Sequence, residues 1–418
     1  MKRFLRLVPF DPWKIWLVAL GLMIVLGLAG GVLVFWKGLI ITNLSDWVPW
    51  GLWITLDLSS IALAAGAFSL CAGVHLFGLK RYQPLARTAL FIGLIGYTMA
   101  LCALLLDIGR PQNFWHPLVY WNPHSTLWEV TMCVCLYLLV LILENMPTLA
   151  SWSFLRERFP KLSNLMKQAH HLAPFLAVVG LLLSSLHQSS LGAVYGVLKA
   201  RPIWFKPELS VLFMLSAIIG GISLTVLASM IAARLSRQAK VNDVLLERTA
   251  HFVGYLLIAY FYFRAWDLLA TTYTYAPGRS EGLQILTKGT LSFNFWFGEM
   301  IMGILLPMII LLYQPARQNP FWRMVALFLA AAGVVAYRWD TNLVGLMVVV
   351  SYLPGPIQIA YTTYHPAPVE WITTLGILAY GLLAFSLGVK YLRVVDHRWV
   401  TEEAKSLHVE AEEVALSR

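Results

Sequence analysis

The 418 residues are 59% AVILMFWYC and only 12% Asp, Glu, Lys and Arg, against about 45–50% and about 25% in soluble domains. At a mean hydropathy of +0.70 no soluble core would hide so much apolar surface, and disorder, collagen and a disulfide scaffold are excluded too. The formal charge of +10, which would suggest nucleic acid in a soluble chain, is read here as membrane topology, so no nucleic-acid partner is expected.

A membrane span needs about 20 mostly apolar residues at 1.5 Å rise. Ten such runs follow in chain order, at about 15–36, 51–79, 85–107, 126–146, 171–198, 208–233, 249–272, 291–313, 321–339 and 369–391. The first is too long for the apolar core of a signal peptide and lacks a clear cleavage box, so it is expected to remain in the mature protein. An even number of spans puts both termini on one side. That side carries 22 of the 31 lysines and arginines and the other carries 9. The positive-inside rule therefore predicts a multi-pass protein of the bacterial cytoplasmic (inner) membrane with both termini cytoplasmic. Twelve of the 17 tryptophans fall toward the outer side. An interfacial belt explains most of them, and their excess suggests that the outer rim also docks a protein or guides an apolar ligand.

Consecutive antiparallel helices with short links pack as neighbours. The expected fold is an all-α polytopic membrane protein with two four-helix bundles, spans 2–5 and 6–9, and peripheral first and last helices. The chain divides accordingly into 1–50, 51–200 (first bundle), 201–340 (second bundle) and 341–418. A weak internal repeat supports this: Leu58-Ser59-Ser60-Ile61 before Gly66 in span 2, and Leu215-Ser216-Ala217-Ile218 before Gly221 in span 6. The outer segments are too short for a separate catalytic domain. Among them 340–368 has an apolar run, Val344 to Tyr352, ending in Leu353-Pro354-Gly355-Pro356, and is expected to lie on the membrane or beneath a partner. The tail after Trp399, with Glu402, Glu403, Glu410, Glu412 and Glu413, reads as a solvated extension.

Titratable side chains inside spans are costly and so are candidates for function. Asp57 lies about two turns into span 2, Asp107 and Arg110 close span 3, Glu129 is one turn into span 4, and His187 sits in the polar island Leu186-His187-Gln188-Ser189-Ser190 of span 5. All five fall toward the outer half of the first bundle. Asp107 and Arg110 also read as a structural pair at a Gly109-Pro111 helix end, and Glu129 as a first-turn acid complementing the helix dipole. In the second bundle Arg264 and Asp267 share a face at i, i+3 and read as an internal pair. Glu299 has no local partner and reads either as a proton relay or as a structural hydrogen-bonding group. No haem is expected, because His187 has no histidine at its depth, and His75, His170, His171 and His251 lie near the inner surface. No metal is expected either: Cys71, Cys102, Cys133 and Cys135 sit in apolar runs without ligand spacing.

These residues stand in strings with a family resemblance. Pro49-Trp50-Gly51-Leu52-Trp53-Ile54 with Asp57 and Ala64-Ala65-Gly66, Leu106-Asp107-Ile108-Gly109-Arg110-Pro111, Asn122-Pro123-His124-Ser125, Leu127-Trp128-Glu129-Val130 and His187-Gln188-Ser189-Ser190-Leu191-Gly192 together resemble the NrfD/polysulfide-reductase membrane-subunit family. Within it they are similar to the ten-helix branch that contains membrane subunits of quinone-linked periplasmic nickel-iron hydrogenase and of menaquinone reductase complexes. Tyr337-Arg338-Trp339-Asp340 with Asn342-Leu343-Val344-Gly345 looks like that branch's link between the last two helices. The resemblance implies a haem-free subunit that binds quinone, with menaquinone favoured, near the outer face of the first bundle. Its implied partners are a periplasmic iron-sulfur subunit and the catalytic or cytochrome subunits of the same complex, within membrane lipid.

Quinone reduction takes two electrons and two protons, so it needs hydrogen-bond donors to the carbonyls and titratable groups tuned by burial. His187 suits one carbonyl, Asp57 and Glu129 suit proton transfer, and Asp107 with Arg110 would hold the outer loop. Ser184, Ser185, Glu144, His75 and, in the second bundle, Glu299 are candidates for a proton path. Two other classes remain: a secondary transporter with buried carboxylates, and a structural anchor for a periplasmic enzyme.

Overall fold

The computed structural model describes residues 11–236, 239–352, 355–392 and 394–395, with the backbone alone at Ala67 and His170. The acidic tail lies outside the described residues. In a bilayer every backbone polar group has to be satisfied within the segment, which leaves helices as the solution for isolated apolar runs. Ten described helices are long and apolar enough to span: α1 Pro12–Lys37, α2 Leu52–His75, α3 Lys80–Asp107, α4 Thr126–Leu149, α5 Ala173–Gly196, α6 Leu209–Leu235, α7 Asp243–Tyr273, α8 Asn294–Leu312, α9 Pro320–Met347 and α10 Pro368–Tyr391. Local chemistry sets several starts. Ser125, Asn242 and Asn319 cap α4, α7 and α9 through their side chains, and proline opens α1, α9 and α10.

The chain is an all-α polytopic membrane protein, as expected. α2 to α5 close one four-helix ring and α6 to α9 a second, joined along α2, α5, α6 and α9, while α1 and α10 pair with each other and lie against α2 and α3. α2 is interrupted at Ala65, where Gly66 of α2 meets Gly221 of α6. Ala65 keeps right-handed helical angles (φ −64°, ψ −15°), so the helix bends there without unwinding. α8 begins as a π-helix over Asn294–Leu305 and returns to α over Leu306–Leu312. Wide turns of that kind are rare and frequently mark functional sites.

One expectation fails at 340–368. α9 does not stop near 339 but runs to Met347, and the string Tyr337 to Asp340 lies within it. After it come β1 Val348–Ser351 and β2 Gln358–Tyr361, an antiparallel hairpin. Val344, Leu346, Met347, Val348 and Val350 are buried inside the molecule. Asp340, Thr341 and Asn342 read as a loop because they are polar, yet each has a partner across the fold. Asn294 donates to Asp340, the Trp204 indole to the Thr341 carbonyl, and Asn342 to the Trp50 carbonyl.

The hairpin, the helix Arg279–Thr287 and the 108–125 segment lie on one face, called here the long-loop face. The other, the termini face, carries the short helices Ser153–Arg158 and Pro160–Gln168. The tryptophan excess divides between two uses. Trp36, Trp47, Trp115, Trp121, Trp266, Trp296 and Trp371 are exposed, whereas Trp53 and Trp204 are internal, with indole nitrogens donating to Thr373 and Thr341.

Candidate functional site

The first bundle gathers four of the expected side chains. Asp57 is buried in the second turn of α2, and His187 is fully buried in the middle of α5. The hydroxyl of Tyr97 on α3 lies 2.8 Å from His187 Nδ1. With the phenol as donor, Nδ1 accepts and the proton stays on Nε2, which becomes a hydrogen-bond donor. Gln188 ties α5 to α2 by donating to the Ile61 carbonyl at 3.2 Å. His187 Nε2, Asp57 Oδ1, Ser59 Oγ and Gln188 Oε1 have no hydrogen-bond partner among the described residues. Each such buried group costs about 1–3 kcal/mol. Those on the adjoining helices α2 and α5 are donors and acceptors that a polar headgroup inside the bundle could use.

Toward the long-loop face, Asp107 ends α3 half-buried, with its Oδ1 unpartnered. Its carboxyl lies within electrostatic reach of Asp57 and of Glu370. The expected pairing with Arg110 is not formed: Arg110 is exposed, because Gly109 (φ 72°) turns the chain outward before Pro111. The sequence reading missed what holds this end. The Tyr364 hydroxyl accepts from Leu52 N at 2.9 Å and donates to Glu370 Oε1 at 3.0 Å, locking the start of α2 to the start of α10. Burial pushes the Tyr364 hydroxyl above the usual phenol range, with the Glu370 charge adding to it, so it stays protonated as the donor of this link.

Glu129 serves the helix end and the bundle together. It stands in the first turn of α4, behind the Ser125 cap, and accepts from Ser190 of α5 at 2.7 Å. At the same end of α4, a shallow groove of about 350 Å³ that Glu129 does not line opens between Trp128, Tyr120, His116 and Thr131.

Toward the termini face, Tyr97 packs edge-on against Tyr137 at 4.8 Å, and Ser184 is buried beside both hydroxyls. Glu144, half-buried in α4, lies within electrostatic reach of Tyr137 and Cys71. Ser185 is half-buried and His75 is exposed at the end of α2. Tyr97 and Tyr137 escaped notice because an aromatic residue in an apolar run reads as core.

Glu299 does not join this site. It is fully buried in α8 and takes two bonds from Arg264, at 2.5 and 3.2 Å, a partner 35 residues away that the local sequence could not reveal. The expected Arg264–Asp267 pair is present at 2.5 Å, and Lys206 also binds Asp267. A cavity of about 30 Å³, room for one water, adjoins Lys206, Arg264, Asp267 and Asp340. Arg338 is fully buried, stacked 3.6 Å over the Phe213 ring, and donates to the Phe213 carbonyl and Ser216. Among the described residues no three His, Cys, Asp or Glu side chains form a metal-binding group.

Two apolar bundles, each with buried polar atoms that have no partner among the described residues and the second also crossed by ion pairs, define an integral membrane protein with a polar interior. The sequence matches the family described as "Polysulphide reductase, NrfD" over residues 40–350, and the chain belongs to that family. It is 32% identical over 380 residues, 88% of each chain, to the integral membrane subunit of menaquinone reductase from Nitratidesulfovibrio vulgaris. It is 26% identical to the Hdr-like menaquinol oxidoreductase integral membrane subunit of Archaeoglobus fulgidus, covering 87% of this chain and 89% of the relative. It is also 26% identical to the probable Ni/Fe-hydrogenase 2 b-type cytochrome subunit of Escherichia coli, covering 85% and 86%.

Proposed function

We propose that this chain is the quinone-binding membrane subunit of a respiratory oxidoreductase in a bacterial inner membrane, exchanging electrons between an iron-sulfur partner on the long-loop face and quinone, with menaquinone favoured. The observation that carries this reading is that His187 Nε2 and Gln188 Oε1 on α5 and Asp57 Oδ1 on the adjoining α2 are each buried inside the first bundle without a hydrogen-bond partner among the described residues. The relatives named for menaquinone and menaquinol chemistry support the choice of ligand.

In this reading the residues do the following work. Tyr97 fixes the tautomer and ring angle of His187, leaving Nε2–H as a donor to a carbonyl oxygen. Asp57 is the nearby buried acid for proton exchange at a second oxygen, and Asp107 is the next carboxyl toward the long-loop face. Glu129, hydrogen-bonded to Ser190, is a further carboxylate of the first bundle available for proton transfer. The bound quinone accepts or releases two electrons and two protons. The electrons come from or go to the partner, and protons reach the site along Ser184, Ser185, Glu144 and His75. Glu299, held by Arg264 in the other bundle, would serve a proton path through the second bundle rather than this first-bundle route.

The experiment is to purify the intact complex and extract it with organic solvent. Co-purifying quinone that is lost in His187→Ala, together with loss of quinone-linked turnover, supports the reading. Uptake of a solute by this chain alone in liposomes, with no quinone retained, would overturn it in favour of a transporter.

A further inference from the structure

The connection from α4 to α5 is built unlike any other on the termini face. It holds two short helices, Ser153–Arg158 and Pro160–Gln168. On the second, Ser163 is fully buried and its hydroxyl donates to the Ala150 carbonyl at 3.1 Å, pinning that side to the end of α4. At 100° per residue, Leu162, Leu165 and Met166 fall within an arc of about 100°, and Lys161, Asn164, Lys167 and Gln168 fall on the side centred roughly 140° away, with Lys161 at the border next to Leu165. Leu165 is 65% and Phe154 55% exposed, so this stripe and the preceding aromatic face outward. Leu172 and Phe175, where α5 begins, are exposed apolar side chains too.

Its depth is set covalently. Only Ala150, Ser151 and Trp152 separate α4 from the first short helix. Three residues reach at most about 10 Å, so the element cannot leave the membrane interface. Trp152 packs against Phe154 there, its ring tilted by 42° at 5.3 Å between centroids. Residues 152–168 carry Arg156, Arg158, Lys161 and Lys167 against the single acid Glu157. All four basic residues are exposed, and none forms an ion pair among the described residues.

We propose that residues 152–168 are an in-plane membrane anchor that binds anionic phospholipid headgroups at the end of the first bundle. The outward apolar stripe sinks into the acyl boundary, while the four basic side chains reach the headgroup layer. A protein-docking core would be depleted of lysine, whereas aromatic anchors, an apolar stripe and excess positive charge together fit a lipid surface. Each basic residue near such a surface is worth about 1 kcal/mol, or roughly fivefold in lipid preference.

The test uses the full chain with Cys71, Cys102, Cys133 and Cys135 replaced by serine. Leu165→Cys and Asn164→Cys are labelled with an environment-sensitive fluorophore in phosphatidylcholine/phosphatidylglycerol vesicles. The label at 165 should be quenched by spin-labelled lipid and shielded from iodide, and the label at 164 should show the reverse. In the unlabelled protein, spin-labelled phosphatidylglycerol should be preferred over phosphatidylcholine. That preference should fall by up to about fivefold per residue as Arg156, Arg158, Lys161 and Lys167 are changed to alanine. It should persist in Lys80→Ala/Arg81→Ala, with thermal melting confirming that every variant is folded. Inorganic phosphate should not compete. Quenching of position 165 by iodide would overturn the proposal, as would equal lipid preference. Shielding of position 165 from both quenchers would assign the stripe to protein, and competition by phosphate would assign the charges to a free anion.

Discussion

Gly66 of α2 and Gly221 of α6 meet backbone to backbone: a methyl group added at Gly221 would stand 2.0 Å from Gly66 N, and one at Gly66 would stand 2.4 Å from the Gly221 carbonyl oxygen. These are the two glycines that end the weak internal repeat, so the repeat's matching positions form the seam between the bundles. Backbones this close allow no side chain between them. Gly221→Ala is expected to destabilise the protein by about 1–3 kcal/mol through overpacking. Gly21→Ala, where nothing lies within 4 Å, should be neutral. Thermal unfolding in detergent compares the two.

His187→Ala and Asp57→Asn should each lower quinone-linked turnover at least about tenfold, the low end for losing a proton-transfer group. Tyr97→Phe removes the bond to Nδ1 without removing the histidine, so it should give a smaller loss. Steady-state kinetics on assembled complex measures all three, and normal turnover in both of the first two would remove these residues from the site.

Breaking the buried network of the second bundle should cost far more stability than activity. Arg264→Met leaves Glu299 uncompensated and is expected to cost about 3–5 kcal/mol. Arg264→Met combined with Glu299→Met should recover part of that loss, because Asp267 keeps Lys206. Denaturation midpoints of the single and double variants give the comparison.

The charge split predicts that the long-loop face is external. A cysteine at Arg110, which is exposed, should react with a membrane-impermeant maleimide added to whole spheroplasts. Labelling only after the inner surface is opened would reverse the orientation.

Proton supply is tested in sealed liposomes containing the full complex. A membrane potential that forms during turnover in the wild type and collapses in Glu144→Gln or His75→Ala indicates uptake from the termini face. Normal turnover without any potential indicates an electroneutral reaction. Each charge moved is worth about 2.3 kcal/mol per 100 mV, so the two outcomes differ measurably.

The ten spans were legible because each is a long apolar run, and lipid admits one backbone solution for such a run. Asp57, His187, Asp107 and Glu129 were legible because charge in a span is rare enough to stand out. What hid from the sequence is whatever depends on a distant partner. The sequence ends α9 near 339 because the partners of the next three polar residues are distant: Asn294 donates to Asp340, Trp204 to the Thr341 main-chain carbonyl, and Asn342 to the Trp50 carbonyl. Glu299 seemed unpaired because Arg264 is 35 residues away. Lys206 lies 61 residues from Asp267, which it reaches on α7. Glu370 and Tyr364 were missed because a first-turn acid and a loop tyrosine are ordinary by themselves.

The pairing of α1 with α10 carries a consequence in time. Gly27 and Gly376 touch through their backbones, yet about 350 residues separate them in the chain. At roughly 5–20 residues per second of synthesis, α1 waits about 20 to 70 s in the bilayer before its partner emerges. It is the most apolar of the ten helices, and between Lys14 and Lys37 it has no charged residue. That composition suits a helix surrounded by lipid on every side until the ribosome finishes α10. A polar substitution on its inner stripe, at Val34 for example, would be felt first by the nascent chain and only afterwards by the folded protein.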